Sequence, residues 1–119
     1  MKQGRKKTGG RYHASRKKRL HERAGQIRVA KLGQEKRKSK KTRGGSRKTF
    51  MINAKFMNLN EKGKAVKVEI KKVLETPSNR FFARQNILTK GTIVETDKGK
   101  AKITSRPTQE GTVNGILIK

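Results

Sequence analysis

A chain of 119 residues with 34 Lys+Arg against 8 Asp+Glu carries a net charge of +26, so the free protein repels itself and seeks phosphate. The absence of cysteine excludes disulfides and thiolate metal sites, and fits a reducing cytoplasm. No apolar run reaches the roughly 18–20 residues that a membrane span needs, and Met1-Lys2-Gln3-Gly4-Arg5-Lys6-Lys7 lacks the apolar stretch of a signal peptide.

The charge is unevenly spread. Residues 1–49 hold 20 Lys+Arg against Glu22 and Glu35, whereas residues 50–119 hold 14 against six acids. Apolar residues divide the other way, nine against 26. The pattern predicts a basic RNA-binding extension over 1–48 and a small folded module over 49–119. A module of that size is marginally stable alone, and the extension is predicted to order on its partner. That partner is nucleic acid rather than a membrane, because the extension has little apolar surface to insert.

Residues 1–13 read as an extended arm, pliable at Thr8-Gly9-Gly10-Arg11 and carrying Arg5, Lys6 and Lys7. Tyr12 is placed to stack on a base or to stand exposed. Residues 14–32 are the one helix candidate of the extension. Ser15 is its candidate N-cap, and Leu20, Ala24 and Ile27 share a face. Arg16-Lys17-Lys18-Arg19 opens this stretch. A second tract follows, with Lys36-Arg37-Lys38, Lys40, Lys41 and Arg43, and then Gly44-Gly45 as the hinge before Arg47 and Lys48. Runs of this kind are read as phosphate contacts, with Arg able to bind bidentately, rather than as merely solvated charge.

From Phe50 the period becomes two. Phe50, Ile52, Ala54 and Phe56 alternate with mostly polar neighbours as a half-buried strand. Residues 58–63 supply a turn. Val66, Val68 and Ile70 form a second, antiparallel strand, and the slip at Lys71-Lys72 predicts a β-bulge. Thr76-Pro77-Ser78-Asn79 ends that strand. Residues 80–84 are predicted as an irregular or short strand segment. Residues 92–96 and 100–105 form a hairpin around Asp97-Lys98-Gly99, with positive φ at the glycine. Residues 106–111 are a loop around Pro107, and residues 112–118 a last strand. The fold class is therefore mainly β: a small barrel of five to six short antiparallel strands behind a long basic arm with at most one short helix. Phe50 and Phe56 fit core positions better than stacking platforms, while one of Phe81 and Phe82 faces outward.

No catalytic constellation is evident. His13 and His21 lie in the arm with Glu22 the only adjacent acid, and the acids of the module are scattered. Gly4-Arg5-Lys6-Lys7-Thr8-Gly9-Gly10-Arg11 lacks the Lys-Ser/Thr of a phosphate loop. The chain is expected to be no enzyme, with no cofactor, metal or small-molecule substrate.

Several blocks are specific in combination: Gln3-Gly4-Arg5, Thr8-Gly9-Gly10-Arg11 and Lys41-Thr42-Arg43-Gly44-Gly45-Ser46-Arg47-Lys48. Asn86-Ile87-Leu88-Thr89-Lys90-Gly91-Thr92 and Ser105-Arg106-Pro107 with Gly111 complete the set. Co-linear from end to end, the chain resembles the S-eight-e family of small-subunit ribosomal proteins, in its compact archaeal form. The resemblance implies a β-barrel on small-subunit ribosomal RNA, with ribosomal proteins as neighbours and a cytoplasmic, ribosomal location. It also implies that Gly9, Gly10, Arg11, Arg43, Gly44, Gly45, Arg47 and Lys48 lie along RNA backbone. Arg80 and Arg106 are further RNA-binding candidates. The rival reading is a general nucleic-acid-binding or chromatin-type architectural protein.

Overall fold

The computed structural model describes residues 4–13, 15–25, 27–61 and 63–118. Gln3 of the Gln3-Gly4-Arg5 block, Ala14 and Gln26 of the predicted helix, and Lys62 of the predicted turn lie outside the described residues.

A strand forms where alternate side chains find cover, and the chain finds cover in two places. Strands β1 (Lys31–Leu32), β2 (Lys36–Lys41) and β3 (Arg47–Ala54) make a three-stranded sheet in the order β1-β3-β2. Strands β4 (Phe56–Glu61), β5 (Lys64–Glu75), β6 (Ile93–Thr96), β7 (Gly99–Ile103) and β8 (Asn114–Leu117) close into a five-stranded barrel. The expected barrel is therefore present. The additional sheet was not expected, because a strand reading Lys-Arg-Lys-Ser-Lys-Lys has no apolar alternation to reveal it.

The strand predicted from Phe50 to Phe56 breaks at Lys55, which separates β3 in one sheet from β4 in the barrel. Its alternation also changes phase. Met51, not Ile52, is buried beside Phe50, and Met57 and Leu59 carry the inward phase of β4 while Phe56 is half-buried. β5 pairs antiparallel with β4 as expected, and its register with β6 shifts between Ile70 and Lys72, the predicted bulge. The bend lets one long strand serve two neighbours around the barrel.

Closure is made by β8, which pairs antiparallel with β7 and parallel with β4, setting Leu59 opposite Gly115. Gly115 is required there. A methyl group on it would overlap the Met57 side chain and stand 2.7 Å from the Lys102 carbonyl oxygen. The β6–β7 hairpin turns on Asp97-Lys98, and Gly99 takes φ +117, as its position predicted.

Three further segments differ from their sequence expectation. Residues 58–61, read as part of a turn, continue β4 to Glu61, because they pair with Lys64–Lys67 of β5. Residues 80–84 are a short helix, α1 (Arg80–Arg84), because the Asn79 side chain accepts a hydrogen bond from the Phe81 amide at 2.9 Å and starts a turn. The 106–111 loop contains α2 (Pro107–Glu110), begun by Pro107 and ended by Gly111 at φ +69. Met57, Leu59, Val94, Leu88 and Ile103 form the barrel core, and Ala30, Met51 and Ala54 of the sheet side join the same buried cluster. The expected 48/49 boundary falls within β3.

The predicted helix over 14–32 is absent among the described residues, which hold a 3-10 turn at Leu20–Glu22 and end in β1. Leu20 and Ile27, its intended apolar face, are 83 % and 88 % exposed. With nothing to bury that face, helix propensity alone is insufficient. The radius of gyration is 20.5 Å and the long axis 65 Å, against about 13–14 Å for the radius of a compact chain of this length. The extension thus projects from a compact barrel-and-sheet body.

Candidate nucleic-acid interface

Lysines and arginines are placed by three local devices. The first is a tight loop. Arg5 and Arg11 bridge antiparallel, the Lys6 amide donates to the Gly10 carbonyl at 2.9 Å, and the Gly9 amide donates to Lys6 at 2.9 Å. Gly9 sits at φ +81, a conformation that a side chain would strain. The arm is thus folded back on itself here instead of running extended. Arg5, Lys6, Lys7, Arg11 and Tyr12 are exposed around that loop, and the Lys6 ammonium lies 5.6 Å from the centre of the Tyr12 ring.

The second device is the β2–β3 hairpin. Gly44 and Gly45, both at φ +89, are its tip, so the pair is a turn within a sheet and not a free hinge. The Thr42 amide and hydroxyl both donate to the Ser46 carbonyl, at 2.7 and 2.8 Å. Below the tip the register sets Lys40 opposite Lys48 and Lys41 opposite Arg47. Like charges directly opposite in a sheet repel. Every residue of β2 is exposed, on both faces, as are Arg43, Arg47 and Lys48. Among the described residues, Lys36, Lys38, Lys40, Lys41, Arg43, Arg47 and Lys48 make no ion pair; Arg37 is paired with Glu35. Two cationic rows thus stand back to back with no internal counterion.

The third device is ring stacking. The Arg28 guanidinium lies 3.9 Å from the Phe50 ring centre and covers it, while Arg80 lies 5.3 Å from Phe81, itself 54 % exposed. Phe50 is therefore core on one side and a platform for Arg28 on the other. Arg28 was missed by sequence reading because it stands outside the basic runs. Its signal, an isolated Arg between Ile27 and Val29, is faint.

The remaining candidates are placed separately. Arg16 is already committed: its guanidinium donates to both Glu22 carboxylate oxygens, at 2.8 and 2.5 Å. That contact, and then the Arg19 amide at 3.0 Å, hold the Glu22 carboxyl below the ordinary glutamate range. Ser15 does not cap the turn; Glu22 does, through that amide. Lys17, Lys18 and Arg19 remain exposed beside it. Arg106 precedes α2, 3.8 Å from Glu110. Its neighbour Ser105 is structural, accepting from the Asn114 amide at 2.9 Å and donating to the Thr112 carbonyl at 3.2 Å.

Among the described residues no three of His, Asp and Glu converge on a common point, and no helix is long and apolar enough to cross a membrane. The arrangement suits many weak, additive contacts to a polyanion rather than bond-making at one atom.

The sequence profile of the family described as Ribosomal protein S8e matches residues 1–118. A curated "Small ribosomal subunit protein eS8" from Nanoarchaeum equitans is 45 % identical over 114 residues, spanning 94 % of this chain and 90 % of that protein. The protein of the same name from Staphylothermus marinus is 45 % identical, spanning 97 % and 92 %. That from Haloarcula marismortui is 36 % identical, spanning 97 % and 94 %.

Proposed function

This chain belongs to the ribosomal protein S8e family, and we propose that it is a structural, non-catalytic component of the small ribosomal subunit that holds ribosomal RNA. The location this assigns is the ribosome in the cytoplasm, with other ribosomal proteins as neighbours. The body docks by shape, and the hairpin and arm neutralise phosphates. A-form RNA hides its bases in a deep, narrow groove, so backbone and 2′-hydroxyl contacts dominate over base readout.

One observation carries this reading: the register that opposes Lys40 to Lys48 and Lys41 to Arg47 with no acid among them. An opposite pair across a sheet contributes roughly 0.2–1 kcal/mol and a like pair costs stability, so this register forgoes stability in the free protein. Phosphates on both faces of the hairpin turn that repulsion into attraction. With about 8–12 phosphates neutralised, log K falls with log salt at roughly 0.7 to 0.9 per contact.

The test is sedimentation of a cell lysate through a gradient at moderately high salt, with the protein quantified against small-subunit RNA. One copy per subunit, retained in the salt wash, supports the reading. Recovery with DNA or in the free fractions favours a general nucleic-acid binder and overturns it.

A further inference from the structure

Residues 27–30 do not form a helix, but they are not idle. The Leu88 amide donates to the Ala30 carbonyl at 2.8 Å, the Leu32 amide donates to the Asn86 carbonyl at 2.8 Å, and Lys31 bridges Ile87. This pairing seats the end of the extension against the segment after α1. Between that seam, α1 and α2 lies a groove of about 400 Å³. Val29, Phe82, Ile87 and Pro107 supply apolar and aromatic walls, and the Thr89 and Ser78 hydroxyls are within it. Arg28, Lys90 and Arg106 line it too; Glu110, 3.8 Å from Arg106, is the acid beside that arginine. A second hollow of about 400 Å³, polar and lined by Lys48, Thr49 and Gln109, adjoins the first, and Arg28 and Thr108 line both.

We propose that this pair of hollows takes one extruded nucleotide of the bound RNA, with the unstacked base in the apolar groove and its phosphate between Arg28 and Lys48. The proposal rests on the RNA-binding reading above and adds to it a base-capturing site. An apolar cavity of this size with a few convergent polar groups is the shape of a small-ligand site. Charge decides the occupant. An apolar side chain from a neighbouring protein would fill the walls but bring no anion to Arg28 and Lys90, whereas Arg106 already lies 3.8 Å from Glu110. A nucleotide satisfies both, since unstacked bases are held on aromatic and apolar walls while cations take the backbone. Arg28 is already fixed for this by its stack on Phe50, so little rotamer freedom is lost when it binds phosphate. The groove also uses residues from both ends of the chain, Ile27 to Ala30 and Arg106 to Thr108, so it exists only once the extension is seated.

The test replaces Ile27, which lines the groove and is 88 % exposed, with the photo-crosslinker p-benzoylphenylalanine in the full chain assembled into small subunits. The expected result is a crosslink to one or two adjacent nucleotides of the RNA. In parallel, Thr108→Trp, which plugs the groove, returns the reactivity of that base toward dimethyl sulfate or carbodiimide to within about twofold of protein-free RNA. It lowers the salt slope of binding by no more than about 0.7–0.9, the one phosphate held between Arg28 and Lys48, because the hairpin contacts persist. A crosslink to a ribosomal protein, crosslinks scattered over many nucleotides, or none at all overturns the proposal. If the chain joins subunits normally but crosslinks elsewhere, only the base site fails. If it does not join subunits, the RNA-binding reading fails with it.

Discussion

The outer half of the β2–β3 hairpin and the barrel end around the β6–β7 turn are both rich in lysine, yet their lysines have opposite surroundings. At the barrel end Lys98 meets Glu61 at 2.7 Å, Lys71 meets Asp97 at 3.0 Å and Lys55 meets Glu69 at 3.2 Å. On the hairpin Lys40 faces Lys48 and Lys41 faces Arg47. Exposed ion pairs contribute only about 0–1 kcal/mol each, so the barrel's pairs are not there chiefly for stability. Their larger consequence is to cancel field at one end and leave it at the other, which under the proposed function orients the approach of the RNA. A net charge of +26 would otherwise attract phosphate from every side.

The largest expected effect removes the barrel from the comparison. Gly115→Ala drives a methyl into Met57 and the Lys102 carbonyl, and thermal unfolding should report a loss of about 1–3 kcal/mol. RNA affinity then falls with the folded fraction while the salt slope of the folded protein stays as it was. A second experiment acts on the hairpin alone. Replacing Lys40, Lys41, Arg47 and Lys48 by Ala should cut the salt slope by about 3 units and leave the melting temperature equal or higher. Lys48→Glu sharpens this further. It should stabilise the free protein by a few tenths to about 1 kcal/mol across from Lys40 while weakening RNA binding; a parallel change in the two readouts would show that the hairpin charges are structural.

Gly111 joins the two regions. Its added Cβ would lie 2.8 Å from Thr49 Cγ2 on β3, and its φ is +69. Gly111→Ala should therefore cost about 1–2 kcal/mol, measured by denaturant titration. A value near zero would mean that α2 and β3 separate freely.

The smallest effect concerns Glu22, which occupies Arg16. Glu22→Gln should release Arg16 and steepen the salt slope by about 0.7–0.9 without moving the melting temperature. Because Glu22 ionises below its ordinary value near 4.5, any order it lends to residues 16–22 is complete above that value. It is lost as pH falls through the depressed pKa, so nothing should change between pH 6 and 8. Carboxyl chemical shifts measured by NMR across pH 2–6 check the sign.

Much of the barrel was legible because its signals are local: alternation in β5, the slip at Lys71-Lys72, the break at Pro77 and the glycine at the β6–β7 turn. The misses have equally physical causes. α1 and α2 are each one turn long, below the length at which a 3.6-residue period can be seen, and they rest on the Asn79 cap and on Pro107 with Gly111. β2 carries no apolar residue, so its strand character comes wholly from pairing with β3. In the interface, the charged runs were visible. What was not visible was that Arg16 is occupied by Glu22, or that Arg28, outside every run, lies stacked on Phe50.

By itself the sequence determined the charge asymmetry, the β character of the second half and the family, because charge, period-two alternation and short motif blocks are properties of neighbours along the chain. The tertiary structure alone decided that the second basic tract is a strand rather than an arm. It also decided that Lys40 meets Lys48, and that the end of the extension and the Pro107 turn share one groove. Those facts depend on pairing between residues far apart in sequence, which closes only when Gly115 lets β8 lie against β4 and Gly111 lets α2 lie against β3.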